Sequence, residues 1–205
     1  MKFSDTDKKR IEEAVKQAES KTSGEIVPMC LANSDFYPAA HYRSAFVFSF
    51  IIATAFYYKW GTSLDSMWFF SIIIIGMILG YFAAYLPFVK KIFLIKKETA
   101  EEVYQRALQA FLENNLHNTR DRTGILIMIS VLEKRIEVLA DIGINDKATS
   151  ETWNNLVSNL TTQITNKKIT DGLVEAITTC GNILEEHFPI KHDDTNELSN
   201  KLITN

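Results

Sequence analysis

The side chains best suited to chemistry fall in two polar runs. Thr119, Arg120, Asp121 and Arg122 form the first, and Asp141 and Asp146 belong to the second. Between them lie two apolar stretches, TGILIMISV (Thr123–Val131) and RIEVLAD (Arg135–Asp141), joined by Leu132, Glu133 and Lys134. If those stretches pair as a hairpin, their outer ends return to one edge of a sheet and the polar runs become neighbours. Asp121, Asp141 and Asp146, with backbone carbonyls and water, then suit a hard divalent cation held by oxygen. Arg120 and Arg122 suit a phosphate or carboxylate gripped by paired hydrogen bonds. A third reading of the same residues is structural, with arginine–aspartate pairs and turn caps knitting the two loops together. A metal-assisted phosphatase needs, besides the cation, a nucleophile or activated water and an acid for the leaving group. Asp121 and Asp141 are the candidates for those roles.

Other chemistry is harder to assemble. His41, His117, His187 and His192 lack metal-ligand spacing, and His192-Asp193-Asp194 reads as part of a solvated tail. Cys30 falls in an expected strand and Cys180 on an expected helix face, where buried apolar thiols are the simpler role. The sequence holds no phosphate-binding glycine loop, Gly-x-Ser-x-Gly elbow, CxxC pair or His-Glu-x-x-His helix. With 22 basic and 25 acidic side chains and a net charge of −3, the chain is not a strongly basic nucleic-acid binder.

The elements that must position these residues divide by polarity. From Ser44 to Val89 the only fully charged side chains are Lys59 and Asp65. Met67–Val89 is uncharged and, as one helix, would reach roughly 34 Å, enough for a hydrocarbon core of about 30 Å. Ser44–Tyr58 is shorter, with Arg43 and Lys59 placed to snorkel at its ends. The expectation is a transmembrane helical hairpin over residues 44–89. Arg43, Lys90, Lys91, Lys96 and Lys97 flank its outer ends and Lys59 alone its turn, which puts both termini in the cytoplasm. Gly76 and Gly80 permit close helix contact, within the hairpin or by ordinary glycine usage. Ile92–Ile95, between two lysine pairs, suits either a membrane surface or a simple stop-transfer flank.

The flanks read as one domain split by that hairpin. Residues 1–43 supply an amphipathic helix with Ser4 as N-cap and a strand, Gly24–Ala32, whose Pro28 favours an edge or bulge. Residues 90–189 supply a helix at Glu98–His117, the two strands, and two helices. Their stripes are Trp153, Leu156, Val157, Leu160 and Ile164, then Leu173, Ile177, Cys180, Ile183 and Leu184 after a Thr170 N-cap. Residues 190–205 read as a polar tail. The expected class is α/β: a small mixed sheet, first and second strands parallel and the third antiparallel, with helices on both faces.

Several stretches in this order resemble the TPM domain family. They are SGEIV (Ser23–Val27), LHNTRDRTGILIMISVLEKRIEVLADIGI (Leu116–Ile144), DGLVEAI (Asp171–Ile177), EEHFP (Glu185–Pro189) and NEL (Asn196–Leu198). The likeness is greatest to a bacterial membrane branch in which a transmembrane hairpin interrupts the domain. The resemblance implies an α/β sandwich, calcium as the cation, and relatives described as acid phosphatases or as auxiliary factors in membrane complexes. Better-known members carry a glycine-rich stretch after the third strand, where this chain has ADIGIND (Ala140–Asp146) with one glycine. The reading drawn from all of this is a TPM-type binding or assembly module. It is held at the cytoplasmic face of a bacterial inner membrane by two spans, with a membrane-protein partner and calcium at the loop edge. The alternative is a membrane-anchored, metal-assisted phosphatase.

Overall fold

The computed structural model describes residues 3–61, 65–145 and 147–204. The chain forms two compact units: one comprises residues up to Ser34 together with Ala100 onward, the other Asp35–Thr99.

The first unit is built on a four-stranded sheet. Strand β1 (Glu25–Leu31) runs parallel to β2 (Gly124–Ser130), which pairs antiparallel with β3 (Arg135–Ala140). A two-residue strand, β4 (Ile203–Thr204), adds to the far side of β1 at Met29 and Cys30, giving the order β3-β2-β1-β4. Residues 190–205 are therefore not a free polar tail. Their last apolar residues, Leu202 and Ile203, dock on the sheet, and a run of two residues is too short to register as a strand in sequence. Pro28 lies in a strand whose second neighbour pairs at two residues alone, so its missing donor is tolerated.

Alternate residues of β1 and β2 point to opposite cores. Ile26, Cys30, Ile125, Ile127 and Ile129 pack with α1 (Asp5–Glu19), α7 (Ser150–Thr165) and α8 (Ile169–His187). Val27, Met29, Leu31, Leu126 and Met128 pack with Val103, Ala107, Ala110 and Phe111 of α5 (Lys96–Glu113). Helices thus cover both faces, and this double burial explains why β2 is a continuous apolar run. Each fully buried leucine or isoleucine stabilises the fold by about 1.5–3 kcal/mol. Ser4 caps α1 in a reciprocal box with Asp7. Thr170 does not cap α8; the helix starts one residue earlier, at Ile169, because Ile169 itself docks in the core.

The second unit is a pair of long helices, α2 (Pro38–Trp60) and α3 (Ser66–Ala83), followed by the short α4 (Pro87–Phe93). Thr62, Ser63 and Leu64, in the turn between the long helices, lie outside the described residues. The seam is made of small groups. A Cβ added to Gly76 would fall 2.7 Å from Ser49 Cα, and one on Gly80 would fall 2.6 Å from Ser44 O. The two glycines thus serve the hairpin's own packing. Ser44 Oγ, buried there, donates to Gly80 O at 2.7 Å. At the open end of the hairpin His41 packs its ring against Tyr81 and Tyr85.

Met67–Val89 is not one helix. It breaks after Ala83, and α4 leaves at 107° to α3. Pro87 is the reason: it has no N–H to bond the preceding turn and its ring disfavours helical backbone at Leu86, which is extended. In compensation α2 is longer than expected, starting at Pro38. It is the one helix among the described residues that is by itself long and apolar enough to cross a bilayer.

Candidate functional site

The two polar runs do meet. Thr119–Thr123 links a 3-10 turn (Leu116–Asn118) to β2 and is wound tightly: Arg122 N–H donates to Thr119 O and Thr123 N–H to Thr119 Oγ1. Arg122 adopts left-handed backbone, φ 57°, which aims its guanidinium across the sheet edge. After β3 the chain turns into the short α6 (Ile142–Asn145). Gly143 lets the loops touch, since a Cβ there would lie 2.8 Å from Arg122 O.

The carboxylates in these loops are engaged by cations of the protein itself. Asp141, 5% exposed, accepts two hydrogen bonds from Arg122 (Nε 2.6 Å, Nη2 2.9 Å) and one from Ile142 N–H at 2.7 Å. Burial pushes its pKa up, yet the Arg122 bonds and the Ile142 N–H outweigh that and hold it below the usual carboxylate range. Asp121 places both oxygens 2.7 Å from Lys191 Nζ, and that bond holds its pKa down. Arg120 pairs more loosely with Asp121, its Nε 3.8 Å from Oδ2, and donates to Asp193 at 3.1 Å, while its backbone N–H donates to Glu197. Asp146 lies outside the described residues. Among the described residues, no three His, Cys, Asp or Glu side chains are grouped so as to hold a metal ion. The arrangement in place is an ion-pair clamp: residues 191–197 are strapped onto the loop before β2, and Arg122–Asp141 ties that loop to the one after β3.

Sequence reasoning missed a second acidic cluster beneath the same strap. Glu25, at the start of β1, is buried and accepts from Glu197 N–H at 2.8 Å. Glu19, at the end of α1, accepts from Ile26 N–H at 2.9 Å and from the Asn200 side chain. Burial first, and the neighbouring Glu25 carboxyl besides, push the Glu19 pKa up to about 8; burial also raises Glu25. Near neutral pH this pair therefore retains a proton. The only signal in sequence was an acid at the head of an apolar strand, and its partner Asn200 lies in the stretch expected to be tail. Both cysteines are buried and free, with thiols pushed to about 11 for Cys30 and about 12 for Cys180, so neither is poised as a nucleophile.

Concavities are modest. A cleft of about 130 Å³ lies between α1 and α8, lined by Gln17, Lys21, Asn182 and Glu185 among others. Organic ligands usually occupy roughly 300–1,000 Å³. Within the helix pair an apolar groove of about 390 Å³ runs between Phe46, Phe50, Tyr57, Phe69 and Met77, with no acid or base beside it.

This architecture is an α/β sandwich whose sheet draws strands from chain segments on either side of an inserted helix pair. Residues 89–183 match the family model described as the TPM domain. In fold the chain is similar to BA42 protein from the psychrophilic bacterium Bizionia argentinensis sp. nov., known by NMR. That likeness has a TM-score of 0.63 at 21% sequence identity, covering 100% of this chain and 97% of that one. At this identity it speaks to fold alone. No curated protein sequence matches the chain.

Proposed function

We propose that this chain is a TPM domain anchored in a membrane by its own helical hairpin and acting there as a binding or assembly module. The observation that carries the anchor is the outer surface of α2 and α3. Phe46, Phe50, Ile51, Trp68, Phe70, Ile74, Ile78 and Phe82 are all exposed, while the residues packed inside are mostly serine, alanine and glycine, with His41 and Ile72. So large a contiguous apolar surface is unfavourable in water and favourable in lipid. α2 reaches roughly 34 Å and α3 about 27 Å, so the pair suits two spans with a hairpin turn. Arg43, Lys90, Lys91, Lys96 and Lys97 flank the end where the chain enters and leaves, against Lys59 at the other, a distribution that supports both termini in the cytoplasm.

The binding role rests on the state of the polar groups. Each loop-edge carboxylate described is already neutralised by an arginine or lysine, an arrangement that stabilises loops and leaves no base or nucleophile aimed into a cleft. Calcium enters this reading by displacement only, since a cation at Asp121 and Asp141 competes with Lys191 and Arg122 for the same oxygens. A metal-assisted phosphatase carries the same requirement. Alkaline carbonate extraction of cell membranes tests the anchor: the protein stays in the pellet, and release into the supernatant refutes it. Mild crosslinking of intact cells tests the module, which predicts capture of a membrane protein; recovery of this chain alone counts against it.

A further inference from the structure

The segment after α3 has a geometry that a plain exit from the membrane does not need. Pro87 turns the chain by 107°, so α4 runs close to perpendicular to the helix before it. Its residues sort by side. Val89 is buried toward the helix pair, and Arg43 Nη1 reaches the Phe93 carbonyl at 3.1 Å. Phe88 and Ile92, one helical turn apart, are instead 65% and 74% exposed. Lys90 lies across the helix from them, donating to Phe36 O at 3.2 Å, Lys91 flanks them beside Phe88, and Lys96 and Lys97 follow beyond the helix end. Among the described residues no salt bridge joins a carboxylate to Lys91, Lys96 or Lys97, and Glu98 is taken by Arg43 at 2.8 Å. Lys96 and Lys97 moreover open α5, where the helix dipole disfavours cations.

Resting on the hairpin anchor above, we propose that α4 is an interfacial helix. It lies in the plane of the bilayer with Phe88 and Ile92 sunk among the acyl chains, and Lys90, Lys91, Lys96 and Lys97 bind the head groups of anionic phospholipids. An axis perpendicular to a spanning helix lies along the membrane surface, and exposed Phe88 and Ile92 flanked by lysines suit a helix at that depth. The unpaired lysines, set where their own helix repels them, are offset by a negative surface. A stop-transfer flank would explain the lysines alone but neither the bend nor the exposed Phe88 and Ile92.

The test uses the full chain in proteoliposomes, carrying a fluorophore on Ile92→Cys or, separately, on Ile74→Cys in α3. Brominated phosphatidylcholine should quench both labels. Brominated phosphatidylglycerol should quench the Ile92→Cys label several-fold more strongly than phosphatidylcholine at equal content. That preference should vanish when Lys90, Lys91, Lys96 and Lys97 are all changed to Gln. Quenching at position 74 but not at 92 overturns the interfacial helix while the anchor stands. Equal quenching by the two lipids at position 92 overturns the anionic preference. No quenching at either position overturns the anchor itself, and this inference with it.

Discussion

The α1–α8 packing of the TPM unit and the α2–α3 packing of the hairpin are inside-out versions of each other. In the first, Ile11, Val15, Leu173, Ile177 and Leu184 lie inside and, Glu19 apart, the acidic and basic side chains of both helices lie toward solvent. In the second, Ser44, Ala45, Ser49 and Gly80 lie inside, and Phe50 is 74% exposed. Water rewards the first arrangement through burial of large side chains. The second buries one leucine-sized group of α3, Ile72, and otherwise relies on close backbone approach between the helices. The contrast supports the proposed membrane anchor independently of any length criterion.

The contrast can be broken by matched truncations. Leu173→Ala should destabilise the TPM unit by about 2–5 kcal/mol, and Ile74→Ala should change hairpin stability by less than about 0.5 kcal/mol. Urea unfolding of the purified protein in detergent measures both, and equal losses would mean that the hairpin has a water-type core. The next largest effect concerns Glu19, a buried polar group of the water-built half. Its folded pKa, about 8, is raised above the unfolded value of 4.5, so its share of stability is complete below 4.5 and is lost as pH rises through 8. Stability should fall by up to about 1.4 kcal/mol per pH unit across that window. Glu19→Gln should flatten the decline, and a wild-type slope unchanged in the variant would remove Glu19 from the account. Gly80→Val should cost the hairpin about 1–3 kcal/mol by overpacking the seam, read as increased protease access to α2 in detergent. The smallest expected effect is calcium: with Lys191 and Arg122 holding the loop carboxylates, millimolar calcium should leave the melting temperature unmoved. A rise abolished by Asp141→Asn would show that the clamp opens for a cation.

Sequence pattern carried the central elements because their burial is periodic. The apolar run at Gly124–Ser130, the alternation of Ile136, Val138 and Ala140, and the stripe of α8 each reflect one face meeting one core. The proximity of Arg122 to Asp141 also followed from hairpin logic. What it missed was non-local or overridden. Lys191 reaches Asp121 from a distant segment, and no spacing rule links such a pair. Ile203 joins the sheet by two residues, below the length at which alternation means anything. Uniform hydropathy from Met67 to Val89 concealed Pro87, whose backbone geometry overrules composition.

The strand order has a consequence in time. β1 and β2 are adjacent in the sheet, yet roughly 90 residues separate them, and the whole hairpin lies in between. At a synthesis rate of roughly 5–20 residues per second, β1 waits several seconds or more for its neighbour to be made. β4 arrives later still, after α8. On the membrane anchor proposed above, the nascent protein shelters an apolar strand through the insertion of the hairpin, so its early biogenesis is where dependence on a chaperone or insertase would concentrate.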